Sequence, residues 1–215
     1  MCGFVGLVNT DGSPAESRLL ERMASVIHYR GPDEEGQFSD GPVGFFHKRL
    51  SIIDLSTGRQ PMTFDGCTIV LNGEIYNYIE LRNELKNKGH KFRTSSDTEV
   101  VLHLYKEYGD SFINYDKNNK RFLIARDHFG IKPLYWYQDK HKIIFGSEIK
   151  AILNHPEVLA GYNKKGLYEY LTFQFVLGEA TLFNNIKKVL PGHYMTINLL
   201  NNKISCVEYW EPDFK

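Results

Sequence analysis

Strand-like and helix-like segments do not alternate along this chain of 215 residues. "GFVGLVN" alternates apolar and small residues and predicts a strand at residues 3–9. "GPVGFFHKRLSIIDL" reads as a strand followed by irregular chain, and "CTIVLNGEIYN" as a short strand entering a turn at Asn72–Gly73. Three hairpins follow from "SFINYDKNNKRFLIARD", "PLYWYQDKHKIIFGSE" and "LPGHYMTINLLNNKISCVEYW". Helical spacing appears instead at Leu19, Leu20, Met23 and Ile27, with Ser13 expected as N-cap, Pro14 in the first helical position and Glu16 completing a capping box. "YIELRNELKNKG" predicts a helix closed by Gly89. "SSDTEVVLHLYKEYG" predicts another, starting near Ser95, Ser96 or Asp97, and "EIKAILNH" and "NKKGLYEYLTFQF" predict two more. Strands that run together while helices are grouped predict an α+β fold, with antiparallel sheets and helices segregated to their faces. A doubly wound parallel sheet is excluded by the same order. Neither GxGxxG nor GxxxxGK[ST] occurs, so nothing supports a nucleotide-binding loop.

Charge and cysteine usage narrow the function. Lys plus Arg number 26 and Asp plus Glu 26, so the chain lacks the basic excess of a nucleic-acid binder. No apolar run approaches a membrane span, and "MCGFVGLVNTDGSPAE" has no basic region ahead of an apolar core. A cytoplasmic location is therefore expected, with no membrane and no nucleic-acid partner. Three cysteines at 2, 67 and 206 form neither a disulfide framework nor a CxxC zinc pair, and the eight histidines show no HExxH, so no metal site is expected. Cys67 and Cys206 are read as buried thiols.

Cys2 is different because of its position. If Met1 is removed, one residue carries both a thiol and an α-amine, whose ordinary pKa values are about 8.5 and about 7.7–8.0. The amine can take the thiol proton and later protonate a leaving group, which places nucleophile and base in a single residue. Other segments fit such chemistry. In "LNGEIYN", Asn72 and Gly73 offer a side-chain amide and a bare backbone N–H, two donors suited to an oxyanion, although the pair also reads as a plain turn. Arg49 at the end of an apolar strand suits a carboxylate or a structural ion pair. Asp97 reads as a helix cap or as a partner for an ammonium group, with Glu74 nearby.

In combination these segments are specific. "MCGFVG", "RGPDEEG", "HKRLSIIDLSTGRQPM", "LNGEIYNY", "SSDTEV", "ARDHFGIKPLYW", "FGSEIKA" and "LPGHY" occur in an order that resembles the class II glutamine amidotransferases, which are N-terminal nucleophile hydrolases. The wording is most similar to the glutaminase domain of glutamine-hydrolysing asparagine synthetases. The resemblance implies a four-layer α/β/β/α sandwich of two antiparallel sheets. It implies that Cys2 is the nucleophile, with its own amine as base, and that Asn72 and Gly73 form the oxyanion hole. Arg49, Glu74 and Asp97 are implied to hold the charged end of glutamine, in a pocket lined by the segment Leu50, Ser51, Ile52 and Ile53, with Arg30 in a supporting role. "ARDHFGIKPLYW" is read as scaffold and inter-domain surface. The implied reaction converts glutamine to glutamate and ammonia through a Cys2 thioester, and the glutaminase step needs no cofactor.

Two departures accompany the resemblance. Family members continue into a synthetase domain that binds ATP and Mg and consumes the ammonia, and no pyrophosphate loop of that kind is present here. The expected division is a glutaminase domain over residues 1–197, then a final strand and the start of a linker over 198–215. The expected partners are glutamine, a synthetase domain or chain that accepts ammonia, and, as the family allows, a second copy in a homodimer. The family also has a longer stretch after "LYKEYGD", and no candidate site residue falls there. Two other readings stay open: a catalytically silent remnant that binds or regulates a partner, and another N-terminal nucleophile amidase without the Arg49/Asp97 clamp. Glucosamine-6-phosphate synthase and phosphoribosyl-pyrophosphate amidotransferase share the same chemistry.

Overall fold

The computed structural model describes residues 1–109, 115–116 and 120–213. The shortened connection after Gly109 lies largely outside the described residues. In chain order the elements are β1 (Gly3–Asn9), α1 (Ser17–Ser25), a 3-10 turn (His28–Arg30), β2 (Glu34–Asp40), β3 (Val43–Arg49), β4 (Met62–Phe64), β5 (Cys67–Ile69), α2 (Tyr78–Asn87) and α3 (Asp97–Tyr108). Then come β6 (Tyr115–Asp116), β7 (Arg121–Ala125), β8 (Tyr135–Gln138), β9 (Lys142–Gly146), α4 (Ile149–Leu153), α5 (Lys164–Phe173), β10 (Ile186–Lys188), β11 (His193–Asn198) and β12 (Ile204–Glu208). The first sheet has the order β10-β8-β9-β1-β3-β2 and the second β12-β11-β7-β6-β5-β4. The pairings within both sheets are antiparallel.

Residue parity assigns the layers. Successive side chains of a strand point to opposite faces. In β1, Phe4 and Val8 join Val43, Phe45, Phe122, Ile124, Phe145, Met195 and Ile197 in the core between the sheets. Val5 and Leu7 instead pack with Leu20, Met23 and Ala24 of α1, Phe46 of β3, and Ala151 and Ile152 of α4. On the far side, Ile69 packs against Val101, Leu102 and Tyr105 of α3, and Leu85 of α2 meets Val100 and Leu104. The expected sequence of layers is therefore present: helices α1 and α4, sheet, sheet, helices α2 and α3. The second sheet extends through β12, which pairs with β11 from Ile197↔Ile204 to His193↔Glu208. Among the described residues, no helix is long and apolar enough to cross a membrane.

The central strand has no room for a side chain at Gly6. A Cβ there would lie 2.0 Å from two atoms of the Phe145 ring, which is itself almost fully buried between the sheets. Gly3 likewise faces the Arg30 side chain, 2.9 Å from its Cδ. The register of β1 against β3 is unbroken from Gly3↔Lys48 to Val8↔Val43. Both glycines thus mark close approach, and neither marks a bulge.

Several local expectations differ. Ser13 does not cap α1: its N–H and hydroxyl both go to the Asp11 carboxylate, at 3.0 and 2.7 Å, and the helix starts four residues later with Glu16 as N-cap. A local turn has outcompeted the capping box. The strands β2 and β4 were not expected. β2, "EEGQFSD", is a polar edge strand held by its full register against β3. Cys67 is buried as expected, but Cys206 is exposed, because β12 is the outer strand of its sheet. "ARDHFGIKPLYW" forms a self-bonded turn. Arg126 donates to the carbonyls of Lys132, Val189 and Gly130 at 2.6–3.0 Å, and the Asp127 carboxylate accepts from the N–H groups of Ile131 and Lys132.

Two predictions follow from this packing. Gly6→Ala drives a methyl group into the Phe145 ring and is expected to cost about 2 kcal/mol or more, read as a lowered urea midpoint. The second concerns acid. His47 is fully buried and burial pushes its imidazole down to about 3. Burial, then the Lys142 charge, pushes His155 down to about 4. These rings stay neutral in the folded chain, while the unfolded chain binds protons near the ordinary value of 6.5. Their contribution is complete above that value and falls on acidification, each ring removing about 1.4 kcal/mol per pH unit. Urea midpoints measured from about pH 7 to 5, before most carboxylates titrate, are expected to decline, and less steeply in His155→Gln.

Candidate active site

The site lies at the open end of the space between the two sheets. Cys2 precedes β1 on the same parity as Phe4 and Val8, the residues that face the inter-sheet core. Arg49 closes β3 on the parity of Val43 and Phe45. Continuing the Gly3↔Lys48 register by one residue sets Cys2 level with Arg49. The Cys2 thiol meets the backbone of the next residue: Leu50 N–H donates to Sγ at 3.3 Å, and Sγ lies 3.5 Å from the Leu50 carbonyl. Arg30 fixes the other side of Cys2, donating from Nε to the Cys2 carbonyl at 2.9 Å and from Nη1 to Glu148 at 2.9 Å. Tyr29 also bonds Glu148. Burial alone would raise the Glu148 carboxyl, but the hydrogen bonds from Tyr29 and Arg30 outweigh it and hold the group below its ordinary range. Arg30 thus touches the Cys2 backbone and not its thiol. Its Nη2 is buried without a partner.

A small cavity of about 70 Å³ lies beside Cys2. Cys2, Arg49, Leu50, Ile52, Ile53, Asn72, Gly73, Glu74 and Asp97 all line it. Ser51 does not: its N–H is directed outward to the Asp33 carboxylate at 2.8 Å, so within the 50–53 segment only its neighbours face the cavity. The second sheet delivers the remaining groups. β5 ends at Ile69, Val70 enters the inter-sheet core, and the chain then turns along the cavity wall. The buried Asn72 side-chain Nδ2 has no hydrogen-bond partner. A buried amide donor without an acceptor is costly, and here it borders a cavity that a ligand oxygen could enter. At Gly73 a Cβ would meet only Leu71, at 3.8 Å.

Charged groups mark the ends of the cavity. The buried Arg49 guanidinium donates from Nη2 to the carbonyls of Ile53 and Asp54, at 2.9 and 2.6 Å, and from Nη1 to Glu34 directly across the β2–β3 pair. Arginine has five N–H donors, and these bonds use three of them. Asp97 is 5% exposed and lies at the first position of α3. The cap is Ser96, whose side chain accepts from Thr98 N–H, so Asp97 is not the cap. Its Oδ2 accepts from Ile75 N–H at 3.0 Å. Glu74 is half-buried on the wall.

Further residues hold this arrangement and were not singled out from the sequence. Arg82 of α2 donates to the carbonyls of Thr94 and Ser96, at 2.5 and 2.6 Å. Glu99 accepts from the N–H groups of Arg93 and Thr94, each at 2.8 Å. Asp54, at φ 51°, accepts from Thr57 N–H and Ser95 N–H, both at 2.7 Å, and so ties the 50–58 loop to the start of α3. Aspartate tolerates the left-handed region because its carboxylate can bond locally. Among the described residues, no three His, Cys, Asp or Glu side chains converge as a metal site requires.

A second cavity of about 260 Å³ shares the wall from Leu71 to Glu74 and is otherwise lined by Phe4, Ile75, Tyr76, Ala125, Ile131, Pro133 and Leu134, with Arg126, Asp127 and Lys132 at its polar side. Its lining is predominantly apolar.

Comparison with known proteins agrees with this geometry. A family profile described as "Glutamine amidotransferase domain" matches residues 1–210. The chain is 41% identical over 233 residues to asparagine synthetase [glutamine-hydrolyzing] 2 of Bacillus subtilis (strain 168), covering 98% of this chain and 30% of that protein. It is 36% identical over 240 residues to amidase chry2 of Gibberella zeae, covering 100% of this chain and 35% of that one. It therefore spans about a third of the length of these relatives. Among solved structures, the glutamine phosphoribosylpyrophosphate amidotransferase of B. subtilis, complexed with ADP and GMP, superimposes with a TM-score of 0.68 at 18% identity, over 98% of this chain and 50% of that one. At that identity the likeness establishes the fold alone. Together with the profile match across residues 1–210, the fold and the arrangement around Cys2 make this chain a member of the glutamine amidotransferase domain family.

Proposed function

We propose that this chain hydrolyses the side-chain amide of glutamine to glutamate and ammonia, with Cys2 as nucleophile, and that the ammonia serves asparagine synthesis in an ATP- and Mg-dependent synthetase domain. The observation that carries the reading is the convergence on one cavity of the Cys2 thiol, the unpartnered Asn72 amide, Arg49 and Asp97.

The step balances as follows. After Met1 is removed, the Cys2 α-amine takes the thiol proton, and the thiolate attacks the δ-carbonyl carbon of glutamine. The carbonyl oxygen becomes an oxyanion, received by Asn72 Nδ2 and the Gly73 N–H. The ammonium returns its proton to the amide nitrogen, the C–N bond breaks, and ammonia leaves a γ-glutamyl thioester. Water, deprotonated by the same amine, attacks that thioester and restores the thiol. Aligned oxyanion donors contribute most when they meet charge that exists only in the transition state. At the other end, the two remaining N–H groups of Arg49 suit the α-carboxylate, and the carboxylate of Asp97, with Glu74, suits the α-ammonium. A substrate lacking those charges would leave buried charged groups unpaired, a larger cost than a lost methylene contact. The synthetase relatives support the choice of ammonia consumer.

Three measurements test this. Chain confirmed by intact mass to lack Met1 is expected to release ammonia from glutamine, and chain forced to retain Met1 is expected to be inactive; equal rates would remove the amine from the mechanism. Cys2→Ala is expected to abolish turnover and single-site labelling by diazo-oxo-norleucine. No ammonia from the processed wild type would favour a silent, partner-binding remnant. Asp97→Asn keeps an acceptor for Ile75 N–H but removes the charge. It is expected to raise the glutamine KM by about 10- to 100-fold, the range of a hydrogen bond to a charged group, with a smaller change in kcat. An unchanged KM would point to an amidase that does not read the amino-acid end.

A further inference from the structure

Gln60 lies in the "GRQPM" stretch between the 50–58 loop and β4 and is 7% exposed. Both ends of its side chain are engaged. Its Oε1 accepts from Leu71 N–H at 2.6 Å, and its Nε2 donates to Thr98 Oγ1 at 3.1 Å. Leu71 is the residue immediately before Asn72 and Gly73, and Thr98 follows Asp97 on α3. The Gln60 backbone is seated against the first sheet, where its carbonyl oxygen occupies the space that a Cβ on Gly36 of β2 would need, 1.9 Å away. One buried residue thus touches the first sheet, the wall that carries the Asn72 and Gly73 donors, and the helix start that carries Asp97. The chain of bonds continues: Thr98 Oγ1 lies 3.5 Å from Asp97 Oδ1, and Asp97 Oδ2 returns to the same wall through Ile75 N–H at 3.0 Å. The 71–75 segment is therefore pinned to the α3 start at two points, and Gln60 makes one of them.

We propose that Gln60 is a positioning residue that sets the distance between the oxyanion donors and the ammonium-binding carboxylate, so that the amide carbon of a substrate held at its charged end meets Asn72 and Gly73 in register. The proposal rests on reading the cavity as a glutamine amidase site. An amide side chain suits the role because it presents one acceptor and one donor at fixed separation. Leucine of similar size presents neither, glutamate keeps the acceptor, and a displacement of the reacting atoms by an ångström is enough to slow a reaction severely.

The test uses the full processed chain and the variants Gln60→Leu, Gln60→Glu and Thr98→Val. By hydrogen–deuterium exchange, Gln60→Leu is expected to speed the amides of 71–75 and of 97–98 together, by about tenfold, while α1 and β1 exchange as in the wild type. In steady-state kinetics on glutamine it is expected to lower kcat by about 10- to 100-fold and to raise KM. Thr98→Val cuts only the helix arm, so it is expected to raise KM more than it lowers kcat. Gln60→Glu is expected to recover most of the kcat lost in Gln60→Leu, because Leu71 N–H regains its acceptor. Exchange that rises on one side only, or throughout the chain, would overturn the proposal, as would equal kinetic losses in all three variants. If Gln60→Leu does not fold, the contrast between Thr98→Val and Gln60→Glu decides the matter. If the wild type does not hydrolyse glutamine, the amidase reading fails, and the exchange pattern still determines whether Gln60 links the two walls.

Discussion

The pairing of β1 with β3 is the constraint on which the site depends. It buries the N-terminal strand in the middle of a sheet, where both of its faces are covered, one by the second sheet and one by α1 and α4. A chain terminus is ordinarily frayed. Here antiparallel hydrogen bonds on both sides, to β3 and to β9, hold it up to Gly3, so the residue before the strand has a defined place. The same register brings Cys2 level with Arg49 and puts its thiol on the backbone of Leu50. Gly6 is part of this constraint, since any larger residue would push β1 away from Phe145 and shift the strand that positions Cys2.

Cys2 and Arg49 come from the first sheet, whereas Asn72, Gly73 and Asp97 come from the second sheet and the helix layer behind it. The two halves are joined by polar side chains at the open end of the sandwich, where the apolar core no longer reaches. Asp54 bonds the loop after β3 to Ser95, Gln60 bonds the same connection to Leu71 and Thr98, and Arg82 and Glu99 fasten residues 93–96 from behind. Each of these groups is bonded in the resting chain. Buried donors without a partner remain near them: Asn72 Nδ2, Arg30 Nη2 and the Nε of Arg82 itself. Buried donors without acceptors are destabilising by roughly 1–3 kcal/mol each. The stabilisation given up at Asn72 is recoverable by any ligand that brings an oxygen to it.

The division between what was legible in the sequence and what was not follows interaction range. The alternating strand β1, the hairpins β8–β9 and β11–β12, and the helices α2 to α5 carry their periodicity locally, and each occurs where the pattern puts it. β2 could not be read that way. "EEGQFSD" is polar on an exposed sheet edge, and only its pairing with β3 makes it a strand. The capping box failed because Asp11, two residues before Ser13, offered a nearer acceptor. For the site, the residues singled out from the motifs line the cavity, apart from Ser51 and Arg30, but so do Gly58, Gln60, Leu71, Ser96, Thr98 and Lys132, which were not singled out. The motifs could not reveal Glu34, Gln60 or Arg82, because each acts across a sequence separation of eleven residues or more. The weak signal available for Gln60 was a polar residue before proline inside an otherwise loop-like motif, and that pattern does not say whether the amide is buried.

Arg49 shows why the identity of a motif residue is only half of its role. Taken from the sequence, it was either a structural ion pair or a carboxylate site, two readings set against each other. The structure has it pairing with Glu34 and the Ile53 and Asp54 carbonyls while still lining the cavity. These roles reinforce one another. A free guanidinium buried at a sheet end would be expensive to desolvate, and a mobile one would lose conformational entropy again on capturing a ligand. By fixing three of its five donors to its own loop and to the neighbouring strand, the fold meets most of that cost in advance and holds the remaining two in one orientation. An arginine prepared in this way discriminates by geometry as well as charge, and a lysine at position 49, with a single rotatable ammonium, could serve the loop or a ligand but could not hold both in a fixed relation.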